Sequence, residues 1–168
     1  MRRAGASDAA VVARHRAEMF SDMGQLPPDL YPQLVEQTVR YLETAIPREE
    51  YVGWLVAPAD TPGKIVAGAG VQLRRTLPHA VKHDGVTRLV SGRQGIVLNV
   101  FTERDWREQG LARLLMEQVL QWARGSGLET LVLHASAQGR SLYEQLGFVQ
   151  TNEMRFAGDL GAPRDPPG

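Results

Sequence analysis

Gln94-Gly95-Ile96-Val97-Leu98-Asn99-Val100-Phe101-Thr102, followed after a short turn by Arg107-Glu108-Gln109-Gly110-Leu111-Ala112-Arg113, is the stretch on which the fold turns. Its first half is rich in strand formers. Its second half opens a run in which Leu111, Leu114, Leu115, Val119 and Trp122 recur at helical spacing, closed by Gly125-Ser126-Gly127. The strand-to-helix junction has the pattern R-x-x-G-x-A. A helix start carries N–H groups without intrahelical partners, and the helix dipole adds partial positive charge there. Gly110, lacking a Cβ, would let a diphosphate reach that backbone, and Arg107 and Arg113 add positive charge nearby. Taken alone, the same pattern also describes a tight turn with solvated arginines.

Downstream, Thr130 to Ala135 reads as a further strand and Arg140 to Leu146 as a short helix ending at Gly147. Phe148 to Gln150 and Asn152 to Phe156 read as closing strand segments, and a Gly- and Pro-rich tail follows from 158 to 168. Upstream, Val12, His15, Met19 and Met23 predict an amphipathic helix over residues 8 to 23, capped near Ser7 or Asp8 and stopped by Gly24. Pro27-Pro28-Asp29 opens a second helix with a stripe of Leu30, Leu34, Val35, Leu42 and Ala45, ended by Pro47. Tyr51 to Ala57 and Lys64 to Leu73 predict an antiparallel hairpin. Gly68 and Gly70 resemble the start of a dinucleotide fingerprint, but Leu73 stands at the third glycine, so they read as marks of a bulge or of close backbone packing. Residues 76 to 93 show no clean period. They fit either a lid or acceptor-binding loop or a solvated surface connection with a short helix of its own.

The totals narrow the function classes. A length of 168 residues and the lack of a dividing linker predict one domain, residues 1 to 157, with 158 to 168 as a flexible tail. Nineteen basic and nineteen acidic side chains cancel, which leaves no global field to recruit nucleic acid or an acidic membrane. Cysteine is absent, excluding disulfides, thiolate nucleophiles and cysteine-ligated zinc. No apolar run approaches the ~20 residues of a membrane span, and the first residues hold no signal-peptide core. The expectation is a soluble, cytoplasmic protein. His15, His79 and His83 have no metal-ligand spacing, and no metal is expected.

Strand, R-x-x-G-x-A, helix, strand and then Leu142-Tyr143-Glu144-Gln145-Leu146-Gly147-Phe148 together resemble the Gcn5-related N-acetyltransferase (GNAT) superfamily, over about a third of the chain. The resemblance implies an α/β fold with a mixed, mostly antiparallel sheet flanked by helices, in which two parallel strands splay apart. It implies that acetyl-CoA lies in that cleft as co-substrate. The pantetheine arm would pair with Val100, Phe101 and Thr102, and the diphosphate with the N–H groups of Arg107, Glu108, Gln109, Gly110, Leu111 and Ala112, beside Arg113. Tyr143 would be the general acid that protonates the departing thiolate, although a buried tyrosine with a satisfied hydroxyl is the plain alternative. At helical spacing, Gly139 would leave room for a ligand beside the Tyr143 ring.

Three positions depart from the family pattern: Ser136 replaces an asparagine that contacts the carrier, Gly139 an alanine, and Arg104 a turn proline. For a base, His134 has the residue type suited to neutral pH, or is simply a satisfied histidine. Asn99 could position a water or the thioester carbonyl, or serve the strand, and Glu103 is a further carboxylate at the strand end. The implied reaction is direct attack of a neutral amine, small molecule or peptide, on the thioester. Longer acyl groups, an O-linked acceptor, or a CoA-binding sensor with weak or no catalysis remain open, and family analogy also allows a homodimer.

Overall fold

Period-two alternation over Tyr51–Val56 puts Val52, Trp54 and Val56 on one side of a strand and Tyr51 and Leu55 on the other. All six residues of this strand are buried, so both of its faces are covered. The computed structural model describes residues 1–83, 85–151, 153 and 154. In chain order its elements are β1 (Arg2–Arg3), α1 (Ala9–Asp22), α2 (Tyr31–Ala45), β2 (Tyr51–Val56), β3 (Ala67–Arg75), β4 (His79–His83), β5 (Val86–Val90), β6 (Arg93–Thr102), α3 (Leu111–Gly125), β7 (Thr130–Leu133) and α4 (Arg140–Gln145). Five strands form one sheet in the order β1-β2-β3-β6-β7. Its neighbours are antiparallel except β6 and β7, which run parallel. The expected α/β architecture is therefore present.

One core lies between the sheet and α3, where Leu115, Met116 and Val119 meet Val52, Trp54, Val71 and Val97. The other lies beneath α1 and α2, where Val12, Leu42 and Ala45 meet Tyr51 and Leu55. Each fully buried Leu or Val contributes about 1.5–3 kcal/mol relative to exposure. The buried stripe of α2 is confined to its second half. Leu42 and Ala45 are buried, whereas Leu34 and Val35 are half-buried and Leu30 is exposed.

Several expectations are corrected. Residues 76 to 93 are neither an irregular loop nor a helix: β4 and β5 pair as a separate two-stranded antiparallel sheet, from His79↔Val90 to His83↔Val86. The strand signal was hidden because β5 has no buried face, so its apolar residues need not alternate. Glu129 fastens the base of this hairpin by accepting N–H bonds from Ser91 (2.8 Å) and Arg93 (2.9 Å). Phe148 to Gln150 are not a strand, and Asn152, Arg155, Phe156 and the tail lie outside the described residues. The strand expected from Lys64 begins at Ala67. β1, which pairs Arg2 with Leu55 and Arg3 with Trp54, is too short to leave a periodic signal.

Candidate active site

Two irregularities in β6 create the site. Its pairing with β7 runs from Gln94↔Thr130 to Val97↔Leu133 and stops, while β6 continues alongside β3 to Thr102. In the β3 ladder Gly68 faces Phe101 and Gly70 faces Leu98, so Asn99 and Val100 together oppose Ala69. This is a β-bulge, and Asn99 adopts φ +57° to make it. A bulge bends and twists its strand, so β6 and β7 part just where the register slips. Val100, Phe101 and Thr102 thus lie along the edge of a cleft, with no pairing to β7.

Beyond Thr102 the chain turns into α3. Glu108 (φ +62°) and Gly110 (φ +79°) are both left-handed, which coils the turn tightly. Among the described residues, the N–H groups of Glu108, Gln109, Gly110, Leu111, Ala112 and Arg113 donate to no protein acceptor. A Cβ built on Gly110 would meet nothing within 4 Å, so the approach to these donors is open. Such a crown of amides at a helix start fits a diphosphate. The arginine side chains are engaged elsewhere. Arg107 pairs with Asp22 of α1, donates from Nε to the Thr102 carbonyl (3.0 Å) and covers the Phe101 ring; Arg113 bonds Gln145. Asp22 also receives Arg104 (2.6 Å), and the two guanidiniums hold its carboxyl below the ordinary range.

Tyr143 stands on α4, packed edge-on to Phe148 and against the α3-side core. Its hydroxyl makes no hydrogen bond among the described residues. Burial pushes its pKa up, so at neutral pH it holds its proton. The expectation that Gly139 leaves ligand space is corrected: a Cβ there would lie 2.8 Å from Tyr143 Cε2, so the glycine makes room for the ring itself. Ser136 Oγ accepts the Gly139 N–H (3.1 Å), closing the turn before α4, and its own O–H remains able to donate. His134, one residue past β7, is 72% exposed and contacts Glu153 at 3.1 Å.

Asn99 is brought to the cleft's origin, but its side chain is buried and turned toward α1. Oδ1 accepts from Arg16 Nη1 (2.8 Å) and Nδ2 donates to the Tyr51 hydroxyl (3.1 Å). Burial raises the Tyr51 pKa to about 12. Gly70 lies flat beneath that phenol, and any Cβ there would overlap it, which is the close packing expected for this glycine. Glu103, considered as a base, pairs with Arg14 at 2.6 Å. His15 is fully buried beside it, 3.5 Å from Glu103 but without a well-formed hydrogen bond, and burial lowers its pKa to about 4. Reasoning from sequence missed Arg16, Asp22 and Tyr51. A lone arginine or aspartate on a surface helix carries no motif that could have singled it out.

The sheet is mixed, its parallel pair splays, and a bare helix start stands beside the splay. The family model for the acetyltransferase (GNAT) family matches residues 17–148, and the chain belongs to that family. A GCN5-related N-acetyltransferase of Ralstonia eutropha is 26% identical, with a TM-score of 0.79 over 94% of this chain and 97% of that one. A predicted acetyltransferase of Clostridium acetobutylicum, solved with acetyl-CoA, shares the fold at 23% identity and a TM-score of 0.75 over 94% of each chain. The search of curated proteins gives no match. Among the described residues no helix is long and apolar enough to cross a membrane, and no group of three His, Cys, Asp or Glu side chains is placed to hold a metal ion.

Proposed function

We propose that this protein transfers the acetyl group of acetyl-CoA to the nitrogen of an amine acceptor, by direct attack on the thioester. The observation that carries the reading is the set of unengaged N–H groups from Glu108 to Arg113, open at Gly110 and adjoining the splay. Those amides bind the diphosphate, and the unpaired edge at Val100, Phe101 and Thr102 takes the pantetheine amides. Tyr143, protonated and without a hydrogen-bond partner among the described residues, is the acid: it gives its proton to the sulfur as the C–S bond breaks and the C–N bond forms. The amine's own proton leaves to His134 or to solvent at the β7 end of the cleft. Asn99 shapes the bulge rather than meeting the substrates, because its polar atoms are held by Arg16 and Tyr51.

Calorimetry with acetyl-CoA tests the donor half. Micromolar to sub-millimolar binding is expected, and Gly110→Val, which puts a branched side chain at φ +79° in the open approach, should weaken it by about 1–3 kcal/mol or more. Absence of binding at millimolar acetyl-CoA, or unchanged affinity in the variant, rejects the assignment. Because Ser136 closes its own turn and His134 lies in solvent, binding without thiol release from any amine would favour a CoA sensor instead.

A further inference from the structure

Arg16 is the charged group that acetyl transfer, as proposed above, leaves without a task. It projects from α1, is half-buried, and reaches the bulge where β6 leaves β7, donating to Asn99 Oδ1 at 2.8 Å while its guanidinium stands 4.9 Å from the centre of the Phe20 ring. Among the described residues it pairs with no carboxylate. The α1 carboxylates and the one at the end of β6 are engaged by other residues: Glu103 by Arg14, Asp22 by Arg104 and Arg107, and Glu18 Oε1 by the Tyr31 hydroxyl at 2.9 Å. Arg16 is thus left with a neutral partner at the bulge. Burial lowers the Arg16 pKa, the sign of a guanidinium removed from water without an anion to repay it. Its only described hydrogen-bond acceptor is a neutral amide oxygen, which leaves most of its five N–H donors available.

We infer that the acceptor is a primary amine bearing a carboxylate or a phosphate, and that Arg16 receives this anionic group while the amine faces the thioester. The inference rests on the acetyl-transfer reading. It selects among acceptors, because an anion gains a charge-assisted pair with Arg16, whereas a polyamine or aminoglycoside offers that guanidinium only further cations.

Thiol release is measured with acetyl-CoA and matched amines: α-amino acids against their methyl esters, glucosamine 6-phosphate against glucosamine, and spermidine. The amino-acid pairs and the sugar pair distinguish a carboxylate from a phosphate. For one class the charged member should show a kcat/KM at least about tenfold higher, the size of one charge-assisted hydrogen bond. Arg16→Gln should collapse that ratio through KM, while Arg16→Lys, which keeps the charge but not the fork, should retain part of it. Equal turnover within every pair, an undiminished ratio in Arg16→Gln, or a preference for spermidine overturns the inference. So does acetyl-CoA binding with no turnover of any anionic amine, and in that case the donor site still stands. Failure to bind acetyl-CoA removes the transfer reading itself. The wild-type pairs decide the matter even where a variant does not fold.

Discussion

The start of α3 and the α1 side of the β6 bulge stand at the two ends of the stretch of β6 that β7 leaves unpaired, and they are built in contrasting ways. At α3 the groups that offer themselves are backbone amides, left bare among the described residues by a left-handed turn with open space over Gly110. At the bulge the backbone is covered and the polar groups are side chains, Arg16, Asn99 and Tyr51, locked together by two hydrogen bonds. The first arrangement suits a ligand part that is always the same, since backbone geometry depends on few residue identities. The second suits recognition that is particular to one protein, since each contact needs a given side chain brought from a separate element. On the proposed reading, the α3 end should tolerate side-chain changes other than at Gly110, and the bulge end should not.

The largest effect expected of a single change lies between the two ends. Tyr143→Phe should lower kcat by about 10²–10⁴-fold while acetyl-CoA affinity, which the proposal assigns to the amides, stays unchanged. Burial raises the Tyr143 pKa above the ordinary value of 10.0, so the acid form persists through neutral pH and any alkaline loss of kcat from this group begins above that value. Stopped turnovers followed by thiol release across pH check both points. Equal rates for variant and wild type at every pH would remove Tyr143 from the chemistry, and the cleft would then consist of its two ends alone.

The same contrast explains what the sequence disclosed. Gly110 and the helix that follows were legible because a bare helix start needs a glycine at one position and apolar residues at helical spacing, all within one segment. The strand pair around it was legible for the same reason. Arg16 and Tyr51 were not, since they meet Asn99 across 83 and 48 positions of chain and share no periodicity with it. The β4–β5 hairpin was missed for a different reason. Val86 and Leu89 of β5 are both exposed, so no buried face imposed the alternation by which strands are recognised. Gly139 was read correctly as a position needing space but credited to a ligand, because spacing alone does not say which neighbour fills the gap.

Gly70 offers a way to disturb the bulge end by displacing Tyr51 rather than by removing any of its polar groups. Gly70→Ala would place a Cβ inside the Tyr51 phenol, whose ring is buried and tied to Asn99, and such overpacking costs about 1–3 kcal/mol. Thermal unfolding should show a Tm several degrees lower, given about 2–4 °C per kcal/mol at this chain length. Gly68→Ala, whose Cβ would meet Leu55 Cδ2 at 3.1 Å and His15 Nδ1 at 3.4 Å, should cost less. If Gly70→Ala proved the milder of the two, the account of Tyr51 as a fixed brace under the bulge would fail.

The smallest effect concerns the link between the ends. Asp22, on α1, holds Arg104 and Arg107 of the turn that leads into α3, so it joins α1 to that turn. Both arginines lower its carboxyl pKa in the folded chain, with Arg107 the stronger cause. A depressed carboxylate pKa contributes stability that is fully present above the unfolded value of 3.8 and is lost as pH falls through the lower, folded value. Asp22→Asn should therefore make the acid limb of stability shallower below about pH 4 while costing no more than about 1 kcal/mol at neutral pH, as expected of a surface ion pair. Denaturant melts at pH 3 and pH 7 give this difference. Should the variant lose equally at both, the aspartate contributes through packing and the two ends are joined by something other than its charge; should it also weaken acetyl-CoA binding while Arg16→Gln does not, the donor loop draws its order from α1, and the division between a backbone-built end and a side-chain-built end holds only for contacts with ligand.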